Sequence, residues 1–185
     1  MISPFAANSL RISHVGLRGV VGSGLTASHV LDFAAAFGTF LEPGGAVVIG
    51  RDPRASGVMI REGLLAGLLA CGQDVIDLGI APTPVIQHSI RRRHAAGGVS
   101  IGASHNSAEW NALKFFGREG TYLSTAQAGE LLTAASPNQS FGSRPEIWLS
   151  RPIHSATIEP MGEFGSRAPA SADYWRAGQP PQSRG

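Results

Sequence analysis

The stretch GGVSIGASHNSAEWNALKFF, from Gly97 to Phe116, decides how the chain is organised. Its β-branched run Val99–Ile101 predicts a strand, and the Gly-Ala pair that follows predicts a tight turn. The chain returns after a polar loop as Ala112–Phe116, which predicts a second strand. Because the connection is short, we expect the two strands to be antiparallel neighbours. Ser104 then lies at the tip of the first strand and faces solvent or a ligand rather than the core.

The segments around this stretch alternate between strand and helix patterns. Alternation of this kind predicts an α/β fold, a three-layer domain in which a mixed, mostly parallel sheet lies between helices. Thr26, Ser56 and Thr83 are the predicted N-caps of the first three helices. The further predicted strands are Leu10–His14, Ala46–Gly50 and Asp74–Leu78, and the predicted helices are Ser28–Phe40, Ser56 to about Cys71, Thr83–Arg93 and Ser124–Ala134.

Composition indicates a globular protein of a reducing compartment. The 185 residues are 43% hydrophobic and 15% charged, and the single cysteine, Cys71, excludes a disulfide framework. No apolar run is long enough for a membrane span, and the N-terminus lacks the pattern of a secretory signal. A net charge of +2 is weak evidence for a nucleic-acid partner, and the basic run Arg91–His94 is typical of a helix C-terminus. We therefore expect a cytoplasmic protein with neither a nucleic acid nor a membrane as partner.

Basic residues accompany the serine loop as candidate anion ligands. Arg18 lies in a glycine-rich segment, Gly16–Gly24, which is predicted to be a flexed loop that brings the arginine to a phosphate or carboxylate. A plain β-hairpin with a solvated arginine is an equally good interpretation. Lys114 is the only lysine among 15 basic residues, which favours a role at the site. Arg51 and Arg54 follow a predicted strand and are second-rank phosphate-binding candidates, although a surface loop with local Asp–Arg pairs is favoured there.

The character of the sequence changes after residue 135. Residues 136–185 hold seven of the twelve prolines and show no sustained helical or strand period. We therefore predict one domain over residues 1–135 and a largely disordered or irregular tail over residues 136–185.

Four motifs, in order, resemble the first domain of the α-D-phosphohexomutases, the family of phosphoglucomutase, phosphomannomutase and phosphoglucosamine mutase. The resemblance covers about residues 10–135. The motifs are GLRGVVG at Gly16–Gly22, VVIGRDPRASG at Val47–Gly57, ACGQDVIDLGIAPTP at Ala70–Pro84, and the stretch Gly97–Phe116. The resemblance implies the three-layer fold given above.

The resemblance also implies a function and a set of site residues. In this family a phosphoserine, here Ser104, passes its phosphoryl group to a sugar monophosphate and recovers the other one from the bisphosphate intermediate. Arg18 and Lys114 match the basic residues that orient phosphate and serve in acid–base steps. His105 and Asn106 match the neighbours that shape the loop, with His105 as a hydrogen-bonding wall rather than an independent base. A Mg²⁺ ion on the phosphate of Ser104 is implied as cofactor, and a hexose or hexosamine phosphate as substrate.

The sequence departs from the family pattern in two respects. Ser107 stands where the family usually has proline, which adds a second hydroxyl to the loop. The aspartate-rich metal loop of the family's second domain does not occur, so we expect domains two to four as partners and little activity from this chain alone. A non-catalytic remnant or interaction module with the same fold is the alternative. A serine hydrolase is disfavoured, because no G-x-S-x-G elbow surrounds Ser104.

Overall fold

The computed structural model describes residues 10–41, 45–135 and 156–158, the last three as backbone only. Within these residues a seven-stranded sheet is combined with four helices. In chain order the elements are β1 (Arg11–Ser13), β2 (Gly16–Val20), α1 (Ala27–Phe40), β3 (Ala46–Arg51), α2 (Gly57–Ala70), β4 (Asp74–Ile80), α3 (Thr83–Arg92), β5 (Gly97–Ile101), β6 (Trp110–Gly117), α4 (Thr125–Ala134) and β7 (Ala156–Ile158).

The sheet is mixed, with the strand order β1-β2-β6-β5-β3-β4-β7. The pairs β5–β3, β3–β4 and β4–β7 are parallel. The pairs β1–β2, β2–β6 and β6–β5 are antiparallel. The antiparallel pairing of β5 with β6 is confirmed, and so is the mixed sheet. Among the described strands, five of seven (β2, β5, β3, β4 and β7) run in the same direction, which fits the predicted mixed, mostly parallel sheet.

Helices cover both faces of the sheet, which confirms the three layers. Helices α1, α2 and α4 share one apolar core with the strands, in which Phe37 and Phe115 lie 4.9 Å apart between ring centroids. Helix α3 packs on the opposite face, where Ile86 and Ile90 contact Val48 and other strand residues. Alternate strand residues therefore face different cores, as the two-residue period of a strand requires.

One of the three predicted helix caps, Thr26, has the expected geometry, and a cap that was not predicted forms at Ser124. The Thr26 hydroxyl accepts a hydrogen bond from the His29 backbone N–H, and Ser124 caps α4 through Gln127 in the same way. Ser56 occupies the N-cap position of α2 but makes no side-chain capping bond. The prediction for Thr83 is wrong, because Pro82 is the N-cap of α3 and the Thr83 hydroxyl contacts the Ser100 hydroxyl instead at 3.1 Å.

The glycine-rich segment after β1 differs from its prediction as a loop. Residues Gly16–Val20 form β2, a full strand paired with β1 on one side and β6 on the other. A strand forms despite the glycines because both of its edges are hydrogen-bonded. Of the two interpretations of Arg18, the hairpin is therefore right for the backbone.

Within residues 136–185 the structure describes one strand, β7, which pairs parallel with β4. The sequence did not predict this strand. The remainder of the predicted irregular tail lies outside the described residues. Across the described part of the chain, no helix is long and apolar enough to cross a membrane.

Helices α1 and α2 pack closely because small residues face each other, and this predicts a steric effect at Gly67. A Cβ atom at Gly67 would lie 2.5 Å from the Ala34 Cβ and 3.0 Å from the Ala35 backbone nitrogen. We expect Gly67→Ala to lower the free energy of unfolding by about 1–2 kcal/mol, since overpacking outweighs the better helix propensity of alanine. Urea unfolding measures this change.

Gly129 provides the matched control, because it lies in α4 with no atom within 4 Å of a Cβ placed there. Gly129→Ala should gain up to about 1 kcal/mol from helix propensity. An equal gain in both variants would contradict the close packing of α1 on α2.

Candidate functional site

Two loops meet at the carboxyl edge of the sheet, where open α/β folds bind ligands. The first follows β3, and the second, residues 102–109, follows β5; the two strands are parallel neighbours. The backbone N–H of Asp52 donates to the carbonyl of Ile101 at 2.9 Å and holds the loops together. The loop of residues 102–109 is called the serine loop below.

Ser104 lies exposed in the serine loop in a left-handed backbone conformation, with φ +55°. Left-handed backbone is unfavourable for residues other than glycine by about 1–2 kcal/mol, so the surrounding contacts must impose it. The turn is closed by a hydrogen bond from Asn106 N to Ala103 O at 3.1 Å, and Ala103 itself is buried. The serine hydroxyl is thereby presented to solvent, at the tip that the sequence predicts.

Gly102 allows the two loops to approach closely. Its φ is +157°, and a Cβ atom there would lie 2.7 Å from Asp52 Oδ2. The same carboxylate accepts two bonds from Arg54, one from the backbone N–H to Oδ1 at 3.1 Å and one from Nε to Oδ2 at 2.9 Å. The local Asp–Arg pair predicted for this loop is therefore present.

Arg54 also reaches across to the serine loop, which the sequence did not indicate. Its two terminal nitrogens each donate to two backbone carbonyls. The acceptors are Ser107 O at 2.6 Å and Trp110 O at 3.2 Å for Nη1, and Ser104 O at 3.0 Å and Asn106 O at 2.7 Å for Nη2. Backbone carbonyls are present at every residue, so no sequence pattern marks them as the partners of a particular arginine.

Arg18 is brought to the serine loop by strand β2. Its Nη1 makes a long hydrogen bond of 3.5 Å to the Asn106 side-chain oxygen. Arg18 is half-buried, and within the described residues its guanidinium belongs to no ion pair. Its other donors point to no described acceptor, which leaves them available for an anion.

Lys114 lies on the same face of the sheet as Arg18. Strand β6 places Ala112 opposite Arg18 and Lys114 opposite Gly16, so the two cations are diagonal neighbours, with Cα atoms typically about 7–8 Å apart in such pairs. On its other side Lys114 is in register with Ser100 of β5, the strand that leads into the serine loop. Lys114 is half-buried, and no described ion pair holds it.

The other predicted site residues, His105, Asn106 and Arg51, differ in their contacts at the site. His105 is exposed beside Ser104 and has no described hydrogen bond, whereas Asn106 is half-buried and bonded to Arg18. Arg51 ends β3 and donates from Nη1 to the Asp52 carbonyl at 3.2 Å. No described contact joins Arg51 to the serine loop.

Ser107, which replaces the usual proline, bonds within the loop. Its hydroxyl donates to Glu109 Oε1 at 2.6 Å, and this hydrogen bond lowers the pKa of Glu109. The Glu109 carbonyl in turn accepts from Val21 N at 2.9 Å, which ties the loop to the end of the glycine-rich segment. The Ser107 hydroxyl is therefore engaged by a neighbouring carboxylate.

The Ser107–Glu109 pair predicts a pH dependence of loop order. A pKa lowered in the folded state means that the contribution of the pair is present above the ordinary pKa of a glutamate and is lost as the pH falls through the lowered value. Ser107→Ala removes the main cause, so we expect the pKa of Glu109 to rise towards its ordinary value. Titration of the side-chain carboxyl by NMR measures it, and an unchanged titration would contradict the role of the Ser107 hydroxyl.

The described residues do not fit a complete Mg²⁺ centre. No group of three or more His, Cys, Asp or Glu side chains comes together within residues 10–41 and 45–135. Both oxygens of Asp52 are bonded to Arg54, and Glu109 is bonded to Ser107. What these residues offer is an exposed hydroxyl with cations nearby, and the chemistry below is assigned to those groups.

Comparison with known proteins agrees with this geometry. The family described as phosphoglucomutase/phosphomannomutase, alpha/beta/alpha domain I, matches residues 12–140. A phosphoglucosamine mutase of Prochlorococcus marinus strain MIT 9303 is 41% identical over 141 residues, which are 75% of this chain and 30% of that protein. A phosphoglucomutase/phosphomannomutase of Thermococcus kodakarensis is 45% identical over 153 residues, 80% of this chain and 31% of that protein.

Solved structures give the same result. A phosphoglucomutase/phosphomannomutase family protein from Burkholderia thailandensis has a TM-score of 0.58 at 28% identity, covering 81% of this chain and 33% of that chain. A protein from Thermus thermophilus has a TM-score of 0.67 at 25% identity, covering 84% and 33%. The chain thus spans about a third of the length of the proteins it matches. By sequence and by fold, it belongs to the phosphoglucomutase/phosphomannomutase family, and residues 12–140 are the alpha/beta/alpha domain I of that family.

Proposed function

We propose that Ser104 carries a phosphoryl group in the interconversion of sugar 1-phosphates and 6-phosphates. The observation that carries this proposal is the exposed, left-handed serine at the end of β5. The guanidinium of Arg18, which forms no ion pair within the described residues, is hydrogen-bonded to the same loop. Membership of the family supports it. Because the chain spans about 30% of its relatives, the activity of a whole enzyme is part of the proposal.

The proposed reaction makes few chemical demands on the protein. A sugar hydroxyl oxygen attacks the phosphorus of phosphorylated Ser104, the Oγ–P bond breaks, and the hydroxyl proton passes in net terms to the serine oxygen. The sugar bisphosphate then reorients in the site and returns its other phosphoryl group to Ser104. Transfer of this kind depends on positioning and on compensation of charge at the phosphoryl oxygens.

Arg18 and Lys114 are the proposed cationic groups at this transfer. The fork of Arg18 suits bidentate contact with phosphoryl oxygens, which its single long bond to Asn106 does not prevent. Lys114 is a compact ammonium that can orient phosphate and also exchange a proton. His105 is proposed as a wall of the site beside Ser104. Arg51 is proposed as an outer phosphate contact, reached from the neighbouring loop at the same edge.

The proposed substrate is a hexose or hexosamine phosphate. The names of the relatives, phosphoglucosamine mutase and phosphoglucomutase/phosphomannomutase, support this class. The sequence Leu113–Phe116 with the following Gly120 and Thr121 favours the phosphoglucosamine branch. A Mg²⁺ ion would need ligands outside the described residues, and we propose that the family's further domains supply them together with the sugar contacts. The chain alone should then show little turnover.

The test is to incubate the chain with glucose 1,6-bisphosphate and to locate phosphate by mass spectrometry. We expect slow incorporation at Ser104 only. Phosphate on Ser107 would overturn the assignment of the carrier. No incorporation at any serine, even after the remaining domains of a relative are added, would favour the non-catalytic module instead.

A further inference from the structure

Arg54 is bonded through every donor that its side chain possesses. A guanidinium has five N–H groups. One of them bonds the Asp52 carboxylate, and the other four bond backbone carbonyls of Ser104, Asn106, Ser107 and Trp110. No donor remains for a phosphoryl oxygen.

Arg18 is the opposite case in the same site. One long bond to Asn106 is its only described side-chain hydrogen bond, so most of its donors are unused. Two arginines therefore approach one loop with different capacities. Arg18 has donors to offer an anion, whereas the donors of Arg54 are all bonded to Asp52 and to backbone carbonyls.

From this contrast we infer that Arg54 is a positioning residue for phosphoryl transfer, which fixes the serine loop and does not contact the phosphoryl group. The inference rests on the proposed function of Ser104. Nothing in the motifs assigns this role to Arg54, since its acceptors are backbone atoms.

The position of Arg54 is itself fixed by the sheet. Asp52 binds both the Arg54 backbone N–H and its Nε, and the Asp52 N–H bonds the last residue of β5. Only 15% of the Arg54 side chain is exposed; its bonds to Asp52, Asn106 and Trp110 are partly buried, and those to Ser104 and Ser107 lie at the exposed tip of the loop. The guanidinium thus holds the serine loop in a fixed position relative to strands β3 and β5.

The consequence for Ser104 is conformational. Its left-handed backbone is unfavourable by itself, and its carbonyl is one of the four that Arg54 holds. Without these bonds we expect the residue to leave this conformation for part of the time. A nucleophile misplaced by about 1 Å can react a hundredfold more slowly, even when nothing that binds the substrate has changed.

Arg54→Lys is the main test variant, because it keeps the positive charge but cannot bond four carbonyls and a carboxylate together. Amide hydrogen exchange of the full chain should become at least about tenfold faster in peptides covering residues 102–112, with no change in α1 or β4. Phosphorylation of Ser104 by glucose 1,6-bisphosphate should slow by at least about tenfold. The affinity for inorganic phosphate, titrated by NMR, should stay within about twofold.

Arg18→Gln should give the reverse pattern, with weaker phosphate binding and unchanged exchange in the loop. Arg92→Lys, at an exposed arginine in the last turn of α3, should leave all three measurements unchanged. If Arg54→Lys does not fold, Arg54→Ala with added methylguanidinium replaces it, and the added ion should restore loop protection.

The outcomes separate this inference from the proposed function. Unchanged loop exchange in Arg54→Lys, or a parallel loss of phosphate affinity, would overturn the positioning role. If wild-type Ser104 accepts no phosphate, the proposed function fails, while the exchange experiment still decides whether Arg54 holds the loop.

Discussion

Ser104→Ala should abolish phosphoryl incorporation from glucose 1,6-bisphosphate into this chain. The substitution removes the only hydroxyl that the serine loop presents without an acidic partner, since Ser107 donates to Glu109. In an assembly that contains the remaining domains, we expect mutase turnover to fall at least about a thousandfold, or ~4 kcal/mol in the activation barrier. Mass spectrometry measures the incorporation, and a coupled assay measures the turnover.

Ser107→Ala is the matched control, because it removes a hydroxyl three residues away in the same loop. It should leave Ser104 as the phosphorylated residue. Both variants should keep the thermal unfolding midpoint of the wild type within a few degrees, since Ser104 is exposed and the Ser107 bond lies at the surface. Persistent phosphorylation in Ser104→Ala would show that another residue is the carrier.

Local pattern was sufficient to predict β5, the turn and β6. Val99 and Ile101 alternate with small residues that pack under α3, and the short return to β6 leaves antiparallel pairing as the only simple arrangement. The exposed position of Ser104 follows from the same local information. Helix α1 was predicted for a similar reason, because its Thr26 cap and its apolar period are both local features.

Pairing between distant segments was harder to predict. Strand β2 is rich in glycine, which has a low strand propensity, and it exists because β6, more than ninety residues later, bonds its edge. Strand β7 is three residues long and depends on β4 in the same way. The bonds from Arg54 to the serine loop also span about fifty residues of sequence, and their acceptors carry no residue signature. In each case the partner, not the segment, determines the structure.

Gly16→Ala should have the largest effect on stability. An alanine there would have an unfavourable backbone conformation, and its Cβ atom would clash with the paired strand. Gly16 has φ +146°, and a Cβ atom there would lie 2.0 Å from the Leu113 carbonyl oxygen of the paired strand. Backbone atoms of a central strand cannot give way as a flexible side chain can. We expect a loss on the order of 3 kcal/mol or more in the free energy of unfolding, a large part of the stability of a domain this size.

Gly22→Ala separates the two causes of this loss. Gly22 also has a positive φ, +90°, but no atom lies within 4 Å of a Cβ placed there. Its substitution should cost only the backbone strain, about 1–2 kcal/mol. Urea unfolding of both variants gives the difference, and equal losses would mean that the contact with Leu113 is relieved. Because β2 carries Arg18 to the serine loop, Gly16→Ala should also weaken phosphate binding under conditions where the chain is still folded, whereas Gly22→Ala should not.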